Sequence, residues 1–178
     1  MKKYILIMLL VILYFTAIAG YAEGEKKGAY IGLKSGAFNL DKVNSLNIFS
    51  LGGTAGYTIP FRIRHIEVAL EWDFNLGYFG GDYVSGYPGD RSHIRTLGLY
   101  GVVRTIPVNE IYAKGKIGIT AETVIEKIGN MESLYKEEGL SCGIGVGYMA
   151  SNHVNVEGEL TTTNSDMKFF SIVLAFVF

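Results

Sequence analysis

The stretch from Phe169 to Phe178 reads Phe-Phe-Ser-Ile-Val-Leu-Ala-Phe-Val-Phe, without a charged residue. Phe170, Ile172, Leu174, Phe176 and Phe178 fall on one parity, and Ser171 and Ala175 on the other. Side chains of a strand alternate between faces, so the segment is predicted to be a strand with one apolar face. At helical rise it would span about 15 Å, half a bilayer core, whereas about 9 to 11 tilted strand residues cross the core completely. The pattern therefore fits a transmembrane strand and not a transmembrane helix. Downstream of Ala22 no apolar run reaches the length of a spanning helix, although 49% of the residues are hydrophobic. A bilayer core admits only helices and edge-free sheets, which leaves a closed barrel.

At the other end, Lys2 and Lys3 precede an apolar run from Tyr4 to Phe15, and small residues Gly20 and Ala22 lead into the charged segment Glu23-Gly24-Glu25-Lys26-Lys27. This is the pattern of a secretory signal peptide cleaved after Ala22. No cysteine lies near that point, so a lipoprotein anchor is not expected. Of 16 basic and 17 acidic residues, cleavage removes two lysines, and 14 − 17 leaves a formal charge of −3. That balance gives no footprint for nucleic acid. Cys142, the single cysteine, has no internal disulfide partner and is expected to be a small apolar wall residue. The predicted organisation is residues 1–22 as signal peptide and 23–178 as one barrel domain, with no second domain after Phe178.

Period-two alternation marks seven more strands. In Gly28–Gly36, Ala29, Ile31 and Leu33 face lipid against Tyr30, Gly32 and Lys34. About Phe49–Ile59 follows, ended by Pro60, which cannot donate to a ladder. The clearest alternation sets Ile66, Val68, Leu70, Trp72, Phe74, Leu76 and Tyr78 against Glu67, Ala69, Glu71, Asp73, Asn75 and Gly77. Ile94–Thr105, Ile111–Glu122, Gly139–Met149 and Val154–Thr161 complete the set. In Ile111–Glu122 energy decides the facing: a Lys on the lipid side near mid-membrane costs about 2 to 4 kcal/mol, so Lys114 and Lys116 point inward. Asn39–Asn47, Phe79–His93, Thr123–Glu138 and Thr162–Lys168 are expected as external loops, and the apolar spacing of Thr123–Glu138 suggests a short helix there. Short turns, containing Phe61–His65, Ile106–Glu110 and Ala150–His153, alternate with these loops, which places both termini in the periplasm. Tyr57, Tyr78, Tyr148 and Phe178 suit aromatic girdles.

The expected fold is therefore all-β, an eight-stranded antiparallel transmembrane up-and-down β-barrel preceded by a cleaved signal peptide. Its lumen collects Lys34, Arg104, Lys114 and Lys116 with Glu67, Glu71, Asp73, Glu122, Glu157 and Glu159. A barrel of this size has room inside only for side chains. The charges read either as a selectivity path for ions or as an internal polar core, and the second is favoured because buried charges must be paired. Inward glycines make room for them and for Tyr30, Tyr100 and Tyr112. Gly143-x-Gly145-x-Gly147 lacks the spacing and the following helix of a dinucleotide site. Glu67, Glu71 and Asp73 could suggest a metal or an acid-base pair, but a lumen face shows such carboxylates in any case. No cofactor, metal or catalytic residue is assigned.

The signal peptide, the eight alternating strands, the run Gly143-x-Gly145-x-Gly147-Tyr148 before a short turn and the terminal aromatic Phe178 together resemble the OmpA/OmpX-like family of small outer-membrane barrels, which includes opacity and Ail-type surface proteins. The likeness covers the whole mature chain. It implies residence in the outer membrane among its lipids, and delivery to the outer-membrane assembly machinery through the C-terminal strand, with Phe176 and Phe178 as the signal. Members serve as scaffolds, adhesins, complement-evasion proteins or narrow channels. Some barrels of this size are lipid A modifying enzymes, and the deacylase type sets a histidine and a serine two residues apart on an outward face. Here His65 and His153 fall in predicted turns, and Ser92 adjoins His93, so the two would point to opposite faces. The expectation is a non-enzymatic monomer with a plugged lumen that meets an unidentified external ligand through its loops, with Tyr83, Tyr87 and Tyr135 as contacts. A narrow ion or small-solute channel is the alternative, and a lipid-modifying enzyme the remote one.

Overall fold

The computed structural model describes residues 28–40, 46–63, 66–80, 91–128, 131–163 and 167–178. They form eight strands: β1 (Ala29–Leu40), β2 (Leu46–Ile63), β3 (Ile66–Gly80), β4 (Arg91–Thr105), β5 (Ile111–Ile128), β6 (Met131–Ser151), β7 (Val154–Thr162) and β8 (Met167–Val177). Each pairs antiparallel with the next, and β1 pairs with β8, from Tyr30↔Val177 to Leu40↔Met167, closing the barrel. Closure removes every edge within the wall, which the hydrocarbon core requires.

Facing follows the alternation. Leu33, Leu51, Leu97, Ile117, Ile144 and Ile172 are exposed on the outside, while Lys34, Glu71, Asp73, Lys114, Lys116, Glu157 and Glu159 are buried inside. In β8 the pattern is strict: Met167, Phe169, Ser171, Val173, Ala175 and Val177 point inward and the alternate residues outward. Phe176 and Phe178 lie on the outer face, as do Tyr148 and Cys142.

Three expectations are corrected. Pro60 does not end its strand. β2 runs on to Ile63, and a register shift between Ile59 and Arg62 carries the chain past the residue that cannot donate. Within the segment expected as a helix-bearing loop, Thr123–Glu138, residues 123–128 and 131–138 are strand, because β5 and β6 stay paired without a shift from Ile111↔Tyr148 to Ile128↔Met131. Tyr135, expected on a loop, is therefore an exposed residue of β6. The other external connections also shrink: Asn39↔Asn47 and Leu40↔Leu46 are paired, β4 begins at Arg91, and β8 begins at Met167. The signal-peptide segment, His65, Tyr83 and Tyr87 lie outside the described residues.

The β4–β5 connection tightens to a two-residue turn. Val108 and Ile111 exchange backbone hydrogen bonds of 2.9 and 3.1 Å around Asn109 and Glu110, whose φ angles are 50° and 69°. Two positive φ values match the right-handed strand twist, and asparagine tolerates this conformation better than most residues.

Candidate functional site

Mid-barrel, four cations and four anions converge from five strands. Lys34 on β1 donates to Asp73 at 2.7 Å and to Glu159 at 2.8 Å. Lys116 on β5 donates to the same two carboxylates at 2.6 and 2.9 Å and lies 3.6 Å from Glu71. Lys114 donates to Glu71 at 2.8 Å, to Glu157 at 2.7 Å and also to Glu159. Arg104 on β4 lies 3.3 Å from Glu71 and 3.5 Å from Glu157. The formal charge of these eight groups is 4 − 4 = 0, and each cation meets at least two anions. That pairing makes charge tolerable at 10% side-chain exposure or less.

The tyrosines extend this belt. Tyr30 donates to Glu71 at 2.7 Å and Tyr112 to Glu157 at 2.5 Å. Tyr100 shares hydrogen bonds with Thr120 and Ser141 and lies under the Lys116 ammonium, 4.5 Å from the ring centroid. Tyr30 and Tyr112 each lie over a glycine of the neighbouring strand, Gly56 and Gly147. A Cβ at either glycine would run into the ring. These positions need glycine because a ring occupies its side-chain space.

Glu71, Glu157 and Glu159 bring one oxygen each within 4.8 Å of one another, a spacing suited to a metal ion. Lys114 Nζ is bonded to all three, so an ammonium fills the role. The sequence pattern pointed instead to Glu67, Glu71 and Asp73, neighbours on one strand. Glu67 and Glu122 share the inward parity with the belt: Glu67 pairs with Arg104 in the β3–β4 ladder and Glu122 with Thr96, both with interactions of their own.

Apolar clusters bracket the charges. Toward the termini lie Tyr30, Ala69, Tyr100, Val102 and Val177. Toward the hairpin end lie Phe38, Ile94, Met167 and Phe169, with Val124 against them. Phe38 and Phe169 stack at 4.4 Å, and Lys34 Nζ lies 5.4 Å from the Phe169 centroid, so charge and lid touch.

Beyond the lid the hairpin β5–β6 continues, with Leu134 and Tyr135 exposed. His153 lies in the β6–β7 turn, its Nδ1 3.1 Å from Val177 O. His93 sits half-buried on β4 with Arg91 and Arg95 at two-residue spacing.

The family model of the outer membrane protein β-barrel domain matches residues 7–178. The chain belongs to that family. Solved members of the same architecture agree: Ail, the attachment invasion locus protein of Yersinia pestis, is 11% identical over 85% of this chain and 99% of its own, with a TM-score of 0.62. Neisserial surface protein A is 15% identical over 85% and 97%, with a TM-score of 0.62. The outer membrane enzyme PagL is 14% identical over 83% and 98%, with a TM-score of 0.51. At such identities the likeness is one of fold. Comparison with curated protein sequences gives no match. As an OmpA/OmpX-like outer-membrane barrel, the chain uses its belt where a soluble protein uses an apolar core.

Proposed function

We propose that this barrel is a surface-recognition protein of the outer membrane, non-enzymatic and monomeric, whose lumen is sealed and whose hairpin end, facing away from the periplasm, does the binding. The observation that carries the reading is the filling of the lumen: a neutral charge belt between two apolar clusters, one of them the stacked lid of Phe38 and Phe169. Dewetted apolar constrictions oppose ion passage. What is left for function is the hairpin end, with the exposed Leu134 and Tyr135 and, by sequence, the loop bearing Tyr83 and Tyr87.

Ail has been crystallised with the heparin analogue sucrose octasulfate. A sulfated ligand of that kind suits this chain poorly. From Glu132 to Leu140 the hairpin carries Lys136 against Glu132, Glu137 and Glu138, a charge of 1 − 3 = −2. The preferred ligand is neutral or basic.

The test has two arms on the folded, full-length protein. In planar bilayers it is expected to stay silent, and discrete openings whose selectivity changes with Lys116→Glu would overturn the sealed lumen. Displayed in nanodiscs against arrays of extracellular proteins and glycans, it is expected to capture binders that are lost on Tyr83→Ala, Tyr87→Ala and Tyr135→Ala with gel mobility of the folded form unchanged. Capture indifferent to all three substitutions would overturn the assignment of these aromatics.

A further inference from the structure

Strand β6 is paired unequally on its two sides. Its ladder with β5 is unbroken up to Ile128↔Met131, but its ladder with β7 begins only at Cys142↔Thr162. From Glu132 to Leu140, no strand among the described residues lies on the β7 side. The other flank of the protruding sheet is different: β2 and β3 pair as far as Ser50↔Gly77, and only Tyr78–Gly80 of β3 extends past that point. Among the described residues one long edge is therefore left, about 30 Å at strand rise.

An open edge offers the N–H and C=O of every second residue to another strand, and chains usually blunt it with proline, a bulge or charged side chains. Charge is the device present here, Lys136 among Glu132, Glu137 and Glu138, and it repels a like edge while attracting a basic strand. This edge has no proline and no register shift. Its side chains are exposed, including Leu134 at 56% and Leu140 at 70% on one face and Tyr135 at 58% on the other. The occupant is selected by charge. A second copy would bring −2 against −2, and antiparallel pairing centred on Lys136 would place that lysine opposite itself. An extended basic segment meets the opposite potential.

Resting on the surface-recognition reading, we propose that the β6 edge from Glu132 to Leu140 receives an extended, basic, β-branched segment of a partner protein by strand addition. Main-chain hydrogen bonds supply the affinity. Apolar residues opposite Leu134 and Leu140, and cations opposite Glu132 and Glu138, supply the selection.

The probe is a nine-residue peptide of lysine, threonine and valine, with lysines at the positions facing Glu132 and Glu138 and valines at those facing Leu134 and Leu140, titrated by fluorescence anisotropy onto the full-length protein in nanodiscs. Its control has every backbone nitrogen between the terminal residues methylated, so that neither edge of the peptide keeps its row of donors, while the charge is unchanged. The expected results are binding of the first peptide, weakening by about tenfold or more for the methylated one, and new coupled strand bands from a ¹³C-carbonyl peptide in the infrared. Because proline at an edge-facing position removes only an edge donor, Leu134→Pro and Tyr135→Pro cover both parities. The one that retains folded gel mobility is expected to lose the peptide. Equal binding of both peptides would reduce the effect to charge attraction and overturn strand addition, as would no binding of either. Capture of array ligands that depends on Tyr83 and Tyr87 would then still stand, so this inference and the reading beneath it fail separately.

Discussion

Lys114 concentrates the chemistry of this barrel in one side chain. Its ammonium touches Glu71, Glu157 and Glu159, three carboxylates gathered from two strands. Removing it leaves like charges facing one another in a buried interior, and breaking a buried set of this kind costs about 3 to 5 kcal/mol. Lys114→Ala is expected to lower the urea midpoint of the vesicle-embedded protein accordingly. Millimolar calcium should restore much of the loss and a chelator abolish the rescue, because the three oxygens stand at ligand spacing once the ammonium is gone. A variant as stable as the parent without calcium would mean that the belt is not structural. That Lys114 and Lys116 point inward was legible in their parity, through the cost of a lipid-facing lysine. That Lys114 meets three acids and Lys34 a different pair was not. Parity tells which face a side chain takes, whereas the shear of the closed sheet decides which inward residues share a level.

At the scale of elements, alternation was legible wherever one face meets lipid and silent where both faces meet water. β8 repeats inward and outward without exception and could be read directly. The outer half of the β5–β6 hairpin could not, since Lys127, Lys136, Glu137 and Glu138 follow no apolar period although the ladder is continuous through them. A strand wet on both sides has no reason to alternate. The same substitution should therefore have two outcomes. Ile172→Lys, on the outer face of β8, is expected to cost about 2 to 4 kcal/mol in urea titrations of folding into vesicles. Leu134→Lys, past the last β6–β7 pair, is expected to stay within about 0.5 kcal/mol of the parent. Similar losses at both sites would place the outer half of the hairpin inside the membrane.

For the whole molecule, the belt and the apolar clusters are one device. The interior needs polar groups because the outside has taken the apolar ones, and the polar groups need screening from water because unpaired solvent ions would compete for them. With side chains at Lys34, Glu71, Lys114 and Glu159 exposed by 2% or less, the sealed lumen proposed above keeps mobile ions from the pairs. Exposed ion pairs weaken as salt shortens the screening length from about 10 Å at 0.1 M to about 3 Å at 1 M, and buried ones do so much less. The urea midpoint in neutral vesicles is thus expected to hold constant over that range of salt, while Lys114→Ala, which admits an ion to the lumen, becomes salt-sensitive. A parent protein whose midpoint falls with salt would have water and ions moving through the belt. The lid of Phe38 and Phe169 would then be a gate, and the bilayer recording would show openings.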